Sequence, residues 1–319
     1  MTDVIEDRGA RPESRDVGPM RLRDYPLMVG PFTHLTRESE RLATLRWRHF
    51  EAVRLSPTIG AELTGLTISA DLADDVVGEI RRALFEYKVI FFRDQPMTAA
   101  EHTRFASRFG ELELHPFIAS NTDEPKLVRF EKSVRAGGYE NLWHHDVTWR
   151  EFPSMGALLH AVEVPELGGD TLFSDMYAAY ESLDEQTKEQ IEGLEAVHDF
   201  TQTFGGHMPP DELRRMQEMY PAVRHPVVCT HTGTGRRHLY VNRAFTDRIE
   251  GLAPDESRAL LDRLCRQADY PEHQCRFRWA RDAVAFWDNR AVQHYATSDY
   301  YPHKRIMERA SVVGGRPAR

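Results

Sequence analysis

The segment NLWHHDVTWRE, residues 141–151, sets His144, His145 and Asp146 side by side between two tryptophans. A histidine and a carboxylate two positions apart are a common pair. With 15 histidines and 50 acidic residues in 319 positions, about two such triplets arise by chance. The chain holds two, His49-Phe50-Glu51 and His144-His145-Asp146, so the triplet alone decides nothing. What sets the second apart is its company. On a β-strand, residues at i and i+2 project to one face, so a strand here aims His144 and Asp146 together and turns His145 away. Two imidazoles and one carboxylate on one side of a metal are the donor set of mononuclear iron(II) sites, which keep coordination positions open for a cosubstrate and oxygen. The missing imidazole must come from a distant segment laid alongside. FWDNRAVQHYATSDYYPHKRIMERA supplies His294 after a strand-like run, with Asp288 and Asn289 in the turn before it. The alternative for the same residues is an ordinary ion pair between His144 and Asp146, with His294 a core histidine bonded to Asp299.

The elements that must position these residues can be read along the chain. AVRLSPTIGAELTGLTI consists of short β-rich pieces broken at Gly60 and Gly65. ADDVVGEIRRALFEYK places Val76, Val77, Ile80 and Leu84 on one helical face, and VIFFR is a short apolar run suited to a buried strand. MTAAEHTRFASRFGEL opens with Thr98 and Glu101 at capping-box spacing and stops at Gly110, which predicts a second helix. MGALLHAVEV and TLFSD read as strands joined through Gly168 and Gly169, MYAAYESLDEQTKEQIEGL and SRALLDRLCRQA as helical, and HPVVCTH with HLYVN as a hairpin. The chain closes on strands in CRFRWARDAVAFWDNRAVQHYA and RIMERASVVGG. Many short strands with helices between them predict a mainly β, α+β fold: a jelly-roll core flanked by helices. There is no glycine-rich phosphate loop.

Composition limits the function. A net charge of −9 and a pI near 5.9, with both signs well mixed, argue against the basic stripe of a nucleic-acid binder. No apolar run approaches the roughly eighteen residues of a transmembrane helix, and MTDVIEDRGARPESRDVG lacks the apolar core of a signal peptide. These features predict a cytoplasmic protein with neither a nucleic-acid nor a membrane partner. Cys229, Cys265 and Cys275 are far apart and read as reduced structural thiols. Residues 1–50 form an N-terminal extension. Its first 18 residues, charged and poor in large apolar groups, are expected to be mobile, while TRESERLATLRWRHF is expected as a helix on the surface of the domain spanning residues 51–319.

WHHDVTW, GGDT and the C-terminal pattern WDNRAVQHYA..DY.P.KRIMERA..GG.RP, taken together, resemble the taurine dioxygenase family of iron(II)- and 2-oxoglutarate-dependent oxygenases, from about Leu55 to the C-terminus. The resemblance implies a double-stranded β-helix, iron(II) held by His144, Asp146 and His294, 2-oxoglutarate as cosubstrate and O2 as oxidant. It makes Arg305 the clasp of the distal 2-oxoglutarate carboxylate, assisted by Thr171. An arginine suits that task because its planar fork matches a carboxylate and keeps its charge; Lys304 is expected to face solvent. Arg309, on the same strand face as Arg305, matches the residue that holds the substrate's anionic head, with His115 as its partner. An arginine at 309 could instead pair with Glu308 or a buried acid. Phe204 and Tyr240 correspond to aromatic walls of the substrate pocket, and Trp143, Trp149 and Trp287 to packing.

Three departures matter. Ile118 stands where taurine enzymes have a tyrosine, Glu140 near their amine-recognising asparagine, and Tyr240 where a phenylalanine is expected. The anion end is kept and the amine end altered. The expected substrate is therefore a small organic anion other than taurine, hydroxylated beside a sulfonate or sulfate ester with release of sulfite or sulfate and an aldehyde. Alternatives are an aryloxyalkanoate dioxygenase, a biosynthetic hydroxylase or desaturase acting on a carboxylate, and, from another class, a non-catalytic metal- or anion-binding β-barrel. Family membership also implies a homo-oligomer, dimer or tetramer.

Overall fold

The computed structural model describes residues 20–22, 27–118, 120, 123–136 and 140–319, so residues 1–18, expected to be mobile, lie outside the described residues. A large sheet runs in the order Glu51–Arg54, Ala61–Thr64, Val89–Phe92, Val284–Asp288, Gly156–Glu163, Arg305–Val312, Leu127–Lys132. Its pairs are antiparallel except Ala61–Thr64 with Val89–Phe92. A second antiparallel sheet joins Gln274–Phe277, Thr171–Asp175 and Val292–Ala296.

Strand alternation builds the layers. Val89 and Phe91 face inward with Ala157, Ala161, Ala285, Trp287 and Met307, and meet Phe173, Phe277 and Val292 of the smaller sheet in one apolar cluster. Ile90 and Phe92 point the other way. With Leu158, Val284, Phe286 and Ala310 they pack on Val77, Ile80, Leu84 and Phe105 of the helices Asp74–Tyr87 and Ala99–Ala106. Central strands covered on both faces need apolar residues at every position, which is why VIFF shows no alternation of polarity. The architecture is α+β: a mixed sheet with helices on one face and a smaller sheet on the other.

Local signals account for the element ends. Thr98 Oγ1 accepts from the Glu101 N–H while the Glu101 carboxylate takes the Thr98 N–H, completing the capping box. MYAAYESLDEQTKEQIEGL forms two helices rather than one, Met176–Glu181 and Glu185–Ile191, because the Asp184 carboxylate accepts from the Thr187 N–H and starts a new turn. The helix His34–Ala43 is more deeply integrated than a surface extension. Leu42 is buried in the same cluster as Ile80 and Phe92, and Glu38 lies 2.8 Å from Lys88 and 2.6 Å from Arg236. Among the described residues no helix is long and apolar enough to cross a membrane.

Candidate active site

His144 and Asp146 do not share a regular strand, which corrects the expectation. His144 pairs with His294 as a single antiparallel bridge, the two N–H groups donating to the opposite carbonyls at 3.2 and 2.8 Å, and Asp146 already lies in the turn that follows. One bridge suffices to bring the distant imidazole alongside. His145 does turn away, its ring buried against Tyr240 at a centroid distance of 4.9 Å. At the bend the Asp146 carboxylate faces both other rings, Oδ1 3.9 Å from His144 Nε2 and Oδ2 4.0 Å from His294 Nε2. One donor atom from each of the three side chains falls within 4.8 Å of the others, a spacing a single metal ion can bridge.

The donor chemistry fits iron(II). His144 Nδ1 donates to the Leu142 carbonyl at 2.7 Å, which leaves the Nε2 lone pair for a metal. Burial, with help from His144, pushes the His294 pKa down to about 3, so that ring is neutral. Burial alone would raise the Asp146 carboxyl, but Arg309, followed by His294 and His144, holds it well below the usual carboxylate range. Asp146 Oδ2 is buried without a hydrogen-bond partner among the described residues. Two neutral imidazoles and one ionised carboxylate are the set a divalent metal requires.

A cavity of about 360 Å³ opens at this triad, and His115, Thr171, Phe204, Arg305 and Arg309 also line it. Arg305 begins the strand Arg305–Val312 and is buried, with Nε and Nη2 unpaired among the described residues; burial draws its pKa down. Gly168 and Gly169 have φ of 82° and 71°. A Cβ on Gly169 would come within 3.1 Å of Arg305 Cδ and Nε, so the GGD turn lies directly against the arginine. Thr171 Oγ1 accepts from Trp279 Nε1 at 3.0 Å, which leaves its own proton to donate. Trp279 was not expected here; its neighbours in CRFRWARD, alternately arginine and apolar, give no sign of this bond. Lys304 is exposed beside Glu131 and Glu163, as expected.

At the other end, Arg309 Nη1 lies 2.7 Å from Asp146 Oδ1 while Nε is unpaired among the described residues. Its buried acid is thus the triad carboxylate and not Glu308, which pairs with Arg129 at 2.8 Å. His115 Nδ1 accepts the N–H groups of Phe117 and Ile118 at 3.2 and 3.1 Å, and burial pushes its pKa down to about 3. The neutral ring therefore carries its proton on Nε2, as a hydrogen-bond donor. Phe204 stacks on Phe245 at 6.2 Å, and both line the cavity with Ile118 and Leu142. Glu140 is paired with Lys132 at 2.9 Å.

Tyr240 is not a wall of this cavity. It lies buried behind His145, 5.7 Å from His225 and 5.9 Å from His238 between ring centroids. Asn242 Oδ1 accepts the N–H groups of Ala244 and Phe245, and that turn presents Phe245 to the cavity in its place; the Asn-x-Ala-Phe spacing is the one sequence signal for it. Trp287, expected only to pack, also lines the cavity, 4.9 Å from the His294 ring.

The family model for "Taurine catabolism dioxygenase TauD, TfdA family" matches residues 51–311. An alkylsulfatase of Acinetobacter baylyi is 34% identical over 271 residues, covering 82% of this chain and 84% of its own. An alpha-ketoglutarate-dependent sulfate ester dioxygenase of Pseudomonas putida is 34% identical over 267 residues, 81% of this chain and 88% of its own. The crystal structure of AAD-2 in complex with Mn(II) and N-oxalylglycine superposes with a TM-score of 0.73 at 28% identity, covering 85% of this chain and all of that one.

Proposed function

The chain belongs to the taurine catabolism dioxygenase TauD, TfdA family, and from that premise we propose an iron(II)- and 2-oxoglutarate-dependent dioxygenase of sulfate esters or sulfonates with an apolar body. Its fold is the double-stranded β-helix, or jelly roll, formed by the large sheet and the smaller sheet facing it. Residues 51–319 make up that domain, with residues 1–50 as an extension. The observation that carries the reading is a pair of buried arginines on one strand, Arg305 and Arg309, that line the same cavity as one His-Asp-His set.

Iron(II), 2-oxoglutarate and O2 together supply the oxidation: one oxygen atom enters a substrate C–H bond and the other leaves in succinate, with loss of CO2. His144, Asp146 and His294 hold the metal. Arg305 donates from Nε and Nη2 to the distal carboxylate of 2-oxoglutarate, and Thr171 donates its hydroxyl proton. Arg309 and the Nε2–H of His115 hold the anionic head of the substrate, while Ile118, Leu142, Phe204 and Phe245 surround its body and exclude water. An anchor this close to the triad presents the head-bearing carbon for reaction. Hydroxylation of a carbon bearing a sulfate ester gives a hemiacetal ester that collapses to aldehyde and sulfate; a sulfonate gives aldehyde and sulfite. The alkylsulfatase and sulfate ester dioxygenase relatives support a sulfur oxyanion head. Ile118, and the pairing of Glu140 with Lys132, support a body without an ammonium group. We also propose a homo-oligomer, dimer or tetramer, in the cytoplasm, where three free buried thiols are at home.

The test is a panel of linear alkyl sulfates, alkylsulfonates and aryloxyalkanoic acids given to the iron-loaded enzyme with 2-oxoglutarate and air. Matched yields of succinate and sulfate from an alkyl sulfate are expected. Coupled turnover confined to the aryloxy acids would replace the sulfur head by a carboxylate. Absence of 2-oxoglutarate consumption with every compound would remove the catalytic reading.

A further inference from the structure

Asn289 sits in the turn between Val284–Asp288 and Val292–Ala296, the strand that carries His294, and is fully buried. Its carboxamide closes on the Asp146 backbone from both sides. Oδ1 accepts the Asp146 N–H at 2.7 Å, while Nδ2 donates to the carbonyls of Asp146 and Ser154, each at 3.0 Å. The Asn289 N–H donates to the Met155 carbonyl at 2.9 Å. The amide can point only one way, because an N–H must donate and a carbonyl must accept.

We infer that Asn289 is a positioning residue for the metal site, fixing the Asp146 carboxylate relative to the two imidazoles. The need for it is local. Strand pairing beside the site is reduced to the single His144–His294 bridge, and Val147, next to Asp146, has φ 48°, a left-handed conformation that a β-branched residue rarely adopts. The ladder therefore does not hold Asp146 in place. The side chain of Asn289 does, and because Asn289 and His294 share one hairpin, it couples the second ligand to the third. Partners that orient coordinating side chains typically change metal affinity by 10- to 100-fold.

The inference rests on the reading that His144, Asp146 and His294 bind a metal, and the experiment separates the two. The metal-free full-length protein is titrated with Co(II), followed by its visible absorption, in parallel with thermal unfolding of the metal-free chain. The variants are Asn289→Ala; Asn289→Asp, which keeps the acceptor but sets a carboxylate against two carbonyls; and Gln95→Ala. Gln95 is a buried amide that bonds Ile68, Leu66 and Arg93 backbone groups, away from the triad. Both Asn289 variants should bind Co(II) on the order of 10- to 100-fold more weakly, with an altered spectrum. Gln95→Ala should melt earlier yet bind as the wild type does. Wild-type affinity and spectrum in folded Asn289→Ala overturn the proposal. So does failure of both Asn289 variants to fold while Gln95→Ala folds. Failure of the wild type to bind Co(II) refutes the metal site itself.

Discussion

Replacing Arg305 with lysine should weaken 2-oxoglutarate selectively. Arg305 is buried, and among the described residues no carboxylate forms an ion pair with it; the Tyr300 ring lies 5.8 Å from the guanidinium carbon. A buried cation without a partner is costly, so the site is relieved by an incoming carboxylate. Nε and Nη2 offer two donors, each charge-assisted bond contributing about 1.5–3 kcal/mol. Lysine keeps the charge but loses the planar fork and one of the bonds, a cost of about 2 kcal/mol, or roughly thirty-fold in affinity. The assay is the apparent KM for 2-oxoglutarate at saturating substrate, with calorimetric titration of 2-oxoglutarate into Co(II)-loaded protein. KM should rise by about that factor while kcat stays close to wild type, the signature of lost uniform binding. Gly169→Ala should raise the same KM, since its methyl group would press on Arg305, and Thr171→Ala should do so more mildly. An unchanged KM in Arg305→Lys would mean that another group holds the distal carboxylate. An equal loss of affinity for the organic substrate would indicate a disordered strand rather than a broken clasp.

Arg309→Gln should raise the KM for the sulfated substrate by ten- to a hundred-fold, about 1.5–3 kcal/mol for bonds to a charged group, with iron retained and succinate formed in excess of aldehyde. A neutral compound turned over equally well by both proteins would remove the anionic-head assignment. Asp146→Ala strands the buried Arg309 guanidinium and should lower the unfolding free energy by about 3–5 kcal/mol. His294→Ala should abolish metal binding at a smaller cost, and equal losses in urea titrations of the metal-free variants would contradict this. Burial pushes the pKa values of His102 and His238 down to about 3 and that of His273 down to about 4, from an ordinary value of 6.5. Below 6.5 the unfolded chain binds protons that the folded one refuses. The stability these rings contribute is therefore complete above that pH and falls as pH drops, by up to about 1.4 kcal/mol per pH unit for each ring. Urea unfolding between about pH 7.5 and 5 should show the decline, and a flat profile would refute it.

What could be read before folding was chemistry confined to few residue types and patterns that close within a few positions. Only imidazoles and carboxylates serve an iron(II) site of this kind, so His144, Asp146 and His294 stood out by type and company; Arg305 was marked by the family resemblance, with which its fixed fork agrees. The Thr98–Glu101 capping box, the VIFF strand, and the shared face of Arg305 and Arg309 follow from helix and strand geometry alone. Periodicity says which way a side chain points but not what stands opposite it, because the opposite residue comes from a segment a hundred or more positions away, placed by strand register and core packing. The tertiary structure alone therefore decided that the His144 strand shrinks to one bridge and that Arg309 meets Asp146 rather than Glu308. It placed Trp279 on Thr171, turned Tyr240 behind His145 and brought Phe245 to the cavity. Asn289 belongs with them: in the sequence it is one turn residue before a strand, and only the hairpin's approach to residues 146–155 makes its amide a clamp on a metal ligand.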